Sequence, residues 1–129
     1  MKILIDENLP PALARALNAL FDGDHEIAHL REKFGPGVKD IQWIGDLSRE
    51  GRWIVIPADR RITRNKAEYA TFQNSRLIGF FMAPGVDKSP LVRKMARLLL
   101  LWDNIVDLAA RMEGGAMFEL PLEAPVSGN

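Results

Sequence analysis

At 129 residues the chain has the length of one compact domain and can bury a substantial core. Its 47% hydrophobic and 26% charged content is that of an ordinary globular chain and excludes a disordered one, while 17 basic against 17 acidic side chains exclude attachment to nucleic acid by net charge alone. With no cysteine, disulfides, thiolate nucleophiles and Cys-based zinc sites are all excluded, which fits a reducing cytosol and leaves oxygen-ligated metals open.

Met1 to Asp6 runs directly into a short apolar segment without a signal-peptide pattern, and the longest apolar stretch, Leu98 to Trp102, is far short of a bilayer span. The expectation is a soluble cytoplasmic protein with no membrane contact. Ile3-Leu4-Ile5 reads as a first strand, and Pro10-Pro11 opens a helix with Leu13, Leu17, Leu20 and Phe21 at helical spacing. His25 to His29 reads as a second strand, followed by a loop at Gly35-Pro36-Gly37. Asp40 can cap the next helix, with Ile41, Ile44 and Leu47 inward and Gly51 as its stop.

Trp53 to Ile56 forms a third strand, broken by Pro57 and followed by a polar stretch from Ala58 to Glu68. Leu77 to Met82 gives a fourth, ended by Ala83-Pro84-Gly85. After Ser89-Pro90 a long helix is predicted, with Leu91, Met95, Leu98, Trp102, Ile105, Ala109 and Met112 recurring every three or four residues. Met117 to Leu120 supplies a last short strand. Residues 1–122 read as a single domain and 123–129 as a flexible tail.

Continuous apolar strands alternating with amphipathic helices define an α/β, three-layer fold, whose central, mainly parallel sheet has four or five strands flanked by helices. In such open sheets the site forms beyond the carboxyl ends of the strands. Asp6-Glu7-Asn8 follows the first strand and Asp59 the third, and Asp40, at a helix start, can reach the same rim. Carboxylates gathered there repel one another unless a cation sits among them, and hard cations such as Mg2+ or Mn2+ prefer oxygen ligands. That arrangement suits metal-assisted phosphodiester hydrolysis.

Each of these residues also has a plainer reading: Asp6 or Asn8 as turn formers before Pro10, Asp40 as a helix cap, Asp59 as a loop carboxylate. The stretch after Asp59 concentrates Arg60, Arg61, Arg64 and Lys66, which either grip phosphates or form a solvated surface. His25 and His29 bracket the second strand and are expected to lie away from the acidic rim. Trp43, Trp53 and Trp102, in apolar periodic segments, are expected in the core.

Met1-Lys2-Ile3-Leu4-Ile5-Asp6-Glu7-Asn8-Leu9-Pro10 resembles the opening of PIN-like proteins related to VapC toxins, and Asp59 to Glu68 is similar to a second block in one branch of them. The resemblance covers residues 1 to 84. It implies a PIN-like fold, Mg2+- or Mn2+-dependent cleavage of single-stranded RNA, and membership of a type II toxin-antitoxin module with a cognate antitoxin as partner. Carried onto this chain, the first acid is Asp6, the helix-borne acid Asp40 and the strand-end acid Asp59, with Glu7 as an adjacent metal ligand. Asn8, Arg60, Arg61, Arg64 and Lys66 are the candidate substrate contacts. Many of these nucleases place a further acid shortly after the one matching Asp59, where this chain has Arg60 and Arg61; Glu7 or Glu68 then makes up the count.

Two other functions fit parts of the pattern. A receiver-like phosphoacceptor shares the acidic pair after strand one and the Asp after strand three, but needs a Ser or Thr after strand four, where Met82-Ala83-Pro84 stands. A PIN-like module that has lost catalysis would only bind RNA or a partner. Finally, the apolar stripe of the helix from Leu91 to Met112 is wider than one sheet face covers, so a homodimer or antitoxin complex is expected to use it, with Leu100 and Leu101 outward.

Overall fold

The computed structural model describes residues 1–57 and 60–120. Strand β1 (Lys2–Ile5) leads to α1 (Pro11–Leu20), β2 (Glu26–His29), α2 (Leu30–Phe34), α3 (Asp40–Glu50) and β3 (Trp53–Ile56). A 3-10 turn (Arg60–Arg64) then precedes α4 (Lys66–Gln73), β4 (Ile78–Met82), α5 (Pro84–Asp87), α6 (Leu91–Arg111) and β5 (Met117–Leu120). The five strands form one sheet in the order β2-β1-β3-β4-β5, parallel at every pairing. This is the α/β, three-layer arrangement expected.

Alternation along the strands divides the core in two, because successive side chains leave a strand on opposite faces. Ile3, Ile5, Ile54, Ile56, Ile78, Phe80 and Met82 pack with Leu13 and Leu17 of α1 and with Leu98, Leu101, Trp102 and Ile105 of α6. Leu4, Trp53, Val55 and Phe81 pack on the other face with Leu30, Trp43, Ile44, Leu47 and Phe72 from α2, α3 and α4. All three tryptophans lie in these cores, as their periodicity implied.

Several local expectations are corrected. Asp40 is the first residue of α3 and Lys39 the cap position, without a side-chain capping bond. The inward face of α3 is Trp43, Ile44 and Leu47, while Ile41 is 49% exposed. Leu101, expected outward, is 1% exposed; Leu100 does point to solvent. The 3-10 turn, α2, α4 and α5 fall in segments where no helix was expected. The expected tail, 123–129, lies outside the described residues.

Close approach demands glycine at two adjacent positions. A Cβ on Gly114 would stand 2.6 Å from the Arg76 Cα, and Gly115 has φ +92°, where a Cβ would stand 2.2 Å from the Gln73 carbonyl oxygen. The Gly115 N–H donates to the Leu77 carbonyl at 2.7 Å, steering the chain from α6 into β5 beside β4. Among the described residues no helix is long and apolar enough to cross a membrane.

Candidate functional site

In a sheet of order 2-1-3-4-5 the connections leave β1 and β3 in opposite directions, so a crevice opens between their carboxyl ends. Asp6 stands there. Its N–H donates to the Ile56 carbonyl at 3.1 Å, extending the β1–β3 ladder by one residue, and its own carbonyl accepts from Leu9 N–H at 3.1 Å to close a turn. Asp6 is 7% exposed, one of only three buried polar residues among those described, whereas Glu7 and Asn8 on the same turn are exposed. The Ile56–Pro57 peptide that follows β3 is cis, and Asp59 just beyond it lies outside the described residues.

Asp40 reaches the same edge for a topological reason. A helix joining the carboxyl end of β2 to the amino end of β3 must run against the strands, so α3 begins at the carboxyl edge. The Asp40 carboxylate accepts from the Trp43 indole N–H at 2.8 Å and sits in the positively polarised first turn. The same logic brings the start of α4 to this edge. There the Asn65 side chain accepts from Glu68 N–H at 3.0 Å as a helix cap. Glu68 and Asp40 share a shallow depression with Gly37, Val38, Lys39 and Ile41.

The basic stretch divides by role. The Arg60 guanidinium donates to the Met82 carbonyl at 2.9 Å and to the Glu119 carboxylate, and lies over the Phe81 ring at 5.2 Å. It therefore ties the segment after β3 to β4 and β5. Arg61, Arg64 and Lys66 are exposed along the 3-10 turn and the start of α4.

His29 was expected away from the rim and is instead the last residue of β2, in register with Ile5. Its Nδ1 accepts from Arg31 N–H at 3.1 Å, which leaves the proton on Nε2, and that N–H donates to the Leu9 carbonyl at 2.6 Å. The buried ring thus holds the turn carrying Asp6 and is a positioning residue. Its place at the end of an apolar strand is the signal that could have found it. His25 lies at the amino end of β2, edge-on to Phe21 and Trp102. Its pKa is lowered by burial first and then by the N-terminal ammonium, against an opposing pull from Asp24.

The donors at this edge are all hard oxygens, the chemistry that suits Mg2+ or Mn2+. Among the described residues, however, no three His, Asp or Glu side chains are grouped closely enough to hold a metal ion. Asp6, Glu7, Asp40 and Glu68 therefore do not make such a group among themselves.

Fold and edge together define a doubly wound α/β protein with a buried acid at its switch point. The receiver-like alternative lacks its chemistry, since Ala83 follows β4. A family model described as a PIN like domain matches residues 1–84, and the chain belongs to that family. No curated protein and no solved structure matches it.

Proposed function

We propose that this protein is a metal-dependent endoribonuclease that hydrolyses phosphodiester bonds of single-stranded RNA. The observation that carries the reading is the buried Asp6 carboxylate at the β1–β3 crevice of a PIN-like chain, since PIN domains are generally nucleases. Asp6, Asp40 and Asp59 are the proposed ligands of Mg2+ or Mn2+, with Glu7 beside Asp6 and Glu68 as a further acid across the depression from α3. A divalent cation bound there supplies an activated water and stabilises charge on the phosphoryl group. Asp6, fixed by the ladder and by His29, holds the reacting centre in place. Asn8, Arg61, Arg64 and Lys66 contact the substrate, the three cations holding flanking phosphates without reading bases; Arg60 supports them by anchoring the turn.

The purified protein with Mn2+ and mixed single-stranded RNA should cleave it. Cleavage should disappear with chelator and fall by about a hundredfold or more in Asp6→Asn and Asp59→Asn, the scale of losing a metal site's support. Activity that survives chelator, or Asp59→Asn at the wild-type rate, overturns the assignment. A second reading, an RNA- or partner-binding module without catalysis, draws on the incomplete grouping of the described acids. RNA binding without cleavage at any metal concentration supports it.

The likeness of residues 1–10 and 59–68 to VapC-related proteins further supports a toxin of a type II module. A small DNA-binding protein encoded in the neighbouring reading frame would agree with this; its absence removes the toxin assignment and leaves the nuclease.

A further inference from the structure

The outer face of α6 carries a surface that no other element covers among the described residues. Leu98, Leu101, Trp102, Ile105 and Ala109 take the inner side of the helix. On the outer side Val92 is 81% and Leu100 62% exposed, with Leu99 at 39% and Ala96 exposed between them. At 100° per residue Val92, Ala96, Leu99, Leu100, Asp103 and Asp107 share one stripe. Charge along the helix is segregated: Arg93, Lys94 and Arg97 occupy its first half without an acid. Asp103 and Asp107 occupy the second half, where Arg111 is the one base and is paired with Asp107.

We propose that this face is the contact of a homodimer in which two copies of α6 cross antiparallel about a two-fold axis near Leu99 and Leu100. A two-fold interface is isologous, so the surface must complement itself. Antiparallel pairing sets Arg93 and Arg97 of one protomer alongside Asp103 and Asp107 of its partner, whereas parallel pairing sets base against base. Leu100 then packs on its counterpart, and Ala96 lets the helices approach. The opposed helix dipoles favour the same direction.

A 21-residue helix spans about 31 Å at ~1.5 Å per residue. The apolar groove of Ala12, Leu13, Leu91, Val92 and Met95 widens the strip toward α1. The area falls at the small end of specific interfaces, so the dimer should be reversible and weakened by salt.

Sedimentation of the full chain across micromolar concentrations tests this. The wild type should approach twice the monomer mass, and Leu100→Glu should stay monomeric with unchanged circular dichroism and, at concentrations where the wild type is itself monomeric, unchanged melting. Two charge variants then report the geometry. Arg93→Glu/Arg97→Glu makes the charge along this side of the helix predominantly acidic; Asp103→Arg/Asp107→Arg leaves it without an acid. Each alone should self-associate about tenfold or more weakly, and mixing them should restore a one-to-one dimer. A monomeric wild type, a dimer indifferent to Leu100→Glu, or charge variants that do not recover on mixing would each overturn the proposal.

Discussion

Asp40 serves the fold and the proposed site through one carboxylate, and the two roles can be separated chemically. Trp43 is 1% exposed, and its indole N–H has Asp40 as its hydrogen-bond partner. Asp40→Asn keeps an acceptor oxygen in the same place but removes the charge a cation needs. Asp40→Ala strands a buried donor, which costs about 1–3 kcal/mol. Urea unfolding should therefore show the Asn variant within about 0.5 kcal/mol of wild type and the Ala variant below it by that larger amount, while both lose metal-dependent cleavage. If the two variants are equally stable, the indole bond contributes nothing and Asp40 is free for the metal alone. The sequence offered Asp40 as cap or ligand, whereas its observed structural role, accepting from the Trp43 indole three residues on, is neither. Arg60 is the opposite case: its partners, Met82 and Glu119, are remote in sequence, so its anchoring role was invisible in a run of cations.

Among the elements, the strands were legible and the short helices were not, for reasons of burial. All four residues of β3 and all five of β4 are buried, because helices cover both faces, and that produces the uninterrupted apolar runs read from the sequence. Helix α2 has only five residues and α4 buries only Phe72, so neither carries a stripe for periodicity to detect. In α3 the start was right within one residue, yet Trp43 rather than Ile41 completes the inner face with Ile44 and Leu47. Four consecutive leucines at 98 to 101 made the phase of α6 ambiguous, and the seam drawn through Met95, Leu98 and Trp102 left out Leu101. That residue lies four before Ile105 and belongs to the same core. Leu101→Ala should cost about 2–5 kcal/mol, whereas Leu100→Ala at a solvent-facing position should change stability by about 0.5 kcal/mol or less. Chemical denaturation at low protein concentration, where dimerisation does not contribute, measures both; equal costs would mean that the helix phase is wrong.

For the molecule as a whole, the boundary of the family match and the boundary of the folding unit do not coincide. The match ends at residue 84, just past β4, and includes all the proposed catalytic acids. One face of the sheet, however, is covered jointly by α1 and α6, and α1 contributes only Leu13, Ala14 and Leu17 to its core. Without α6, the side chains of Ile54, Ile56, Ile78, Phe80 and Met82 lose Leu98, Leu101, Trp102 and Ile105. Those four side chains are each 4% exposed or less. At about 1.5–3 kcal/mol for each buried side chain, their removal forfeits roughly 6–12 kcal/mol, comparable with the entire stability of a domain, about 5–15 kcal/mol. Removing β5 as well would turn β4 into an edge strand and leave Arg60 without Glu119. A chain of residues 1–84 should therefore fail to fold by itself. It should show no cooperative urea transition, bind hydrophobic dyes and lack nuclease activity despite retaining Asp6, Asp40 and Asp59. A sharp transition and native-like circular dichroism from residues 1–84 alone would show that α1 can cover that face unaided and that α6 is an addition to a domain already complete.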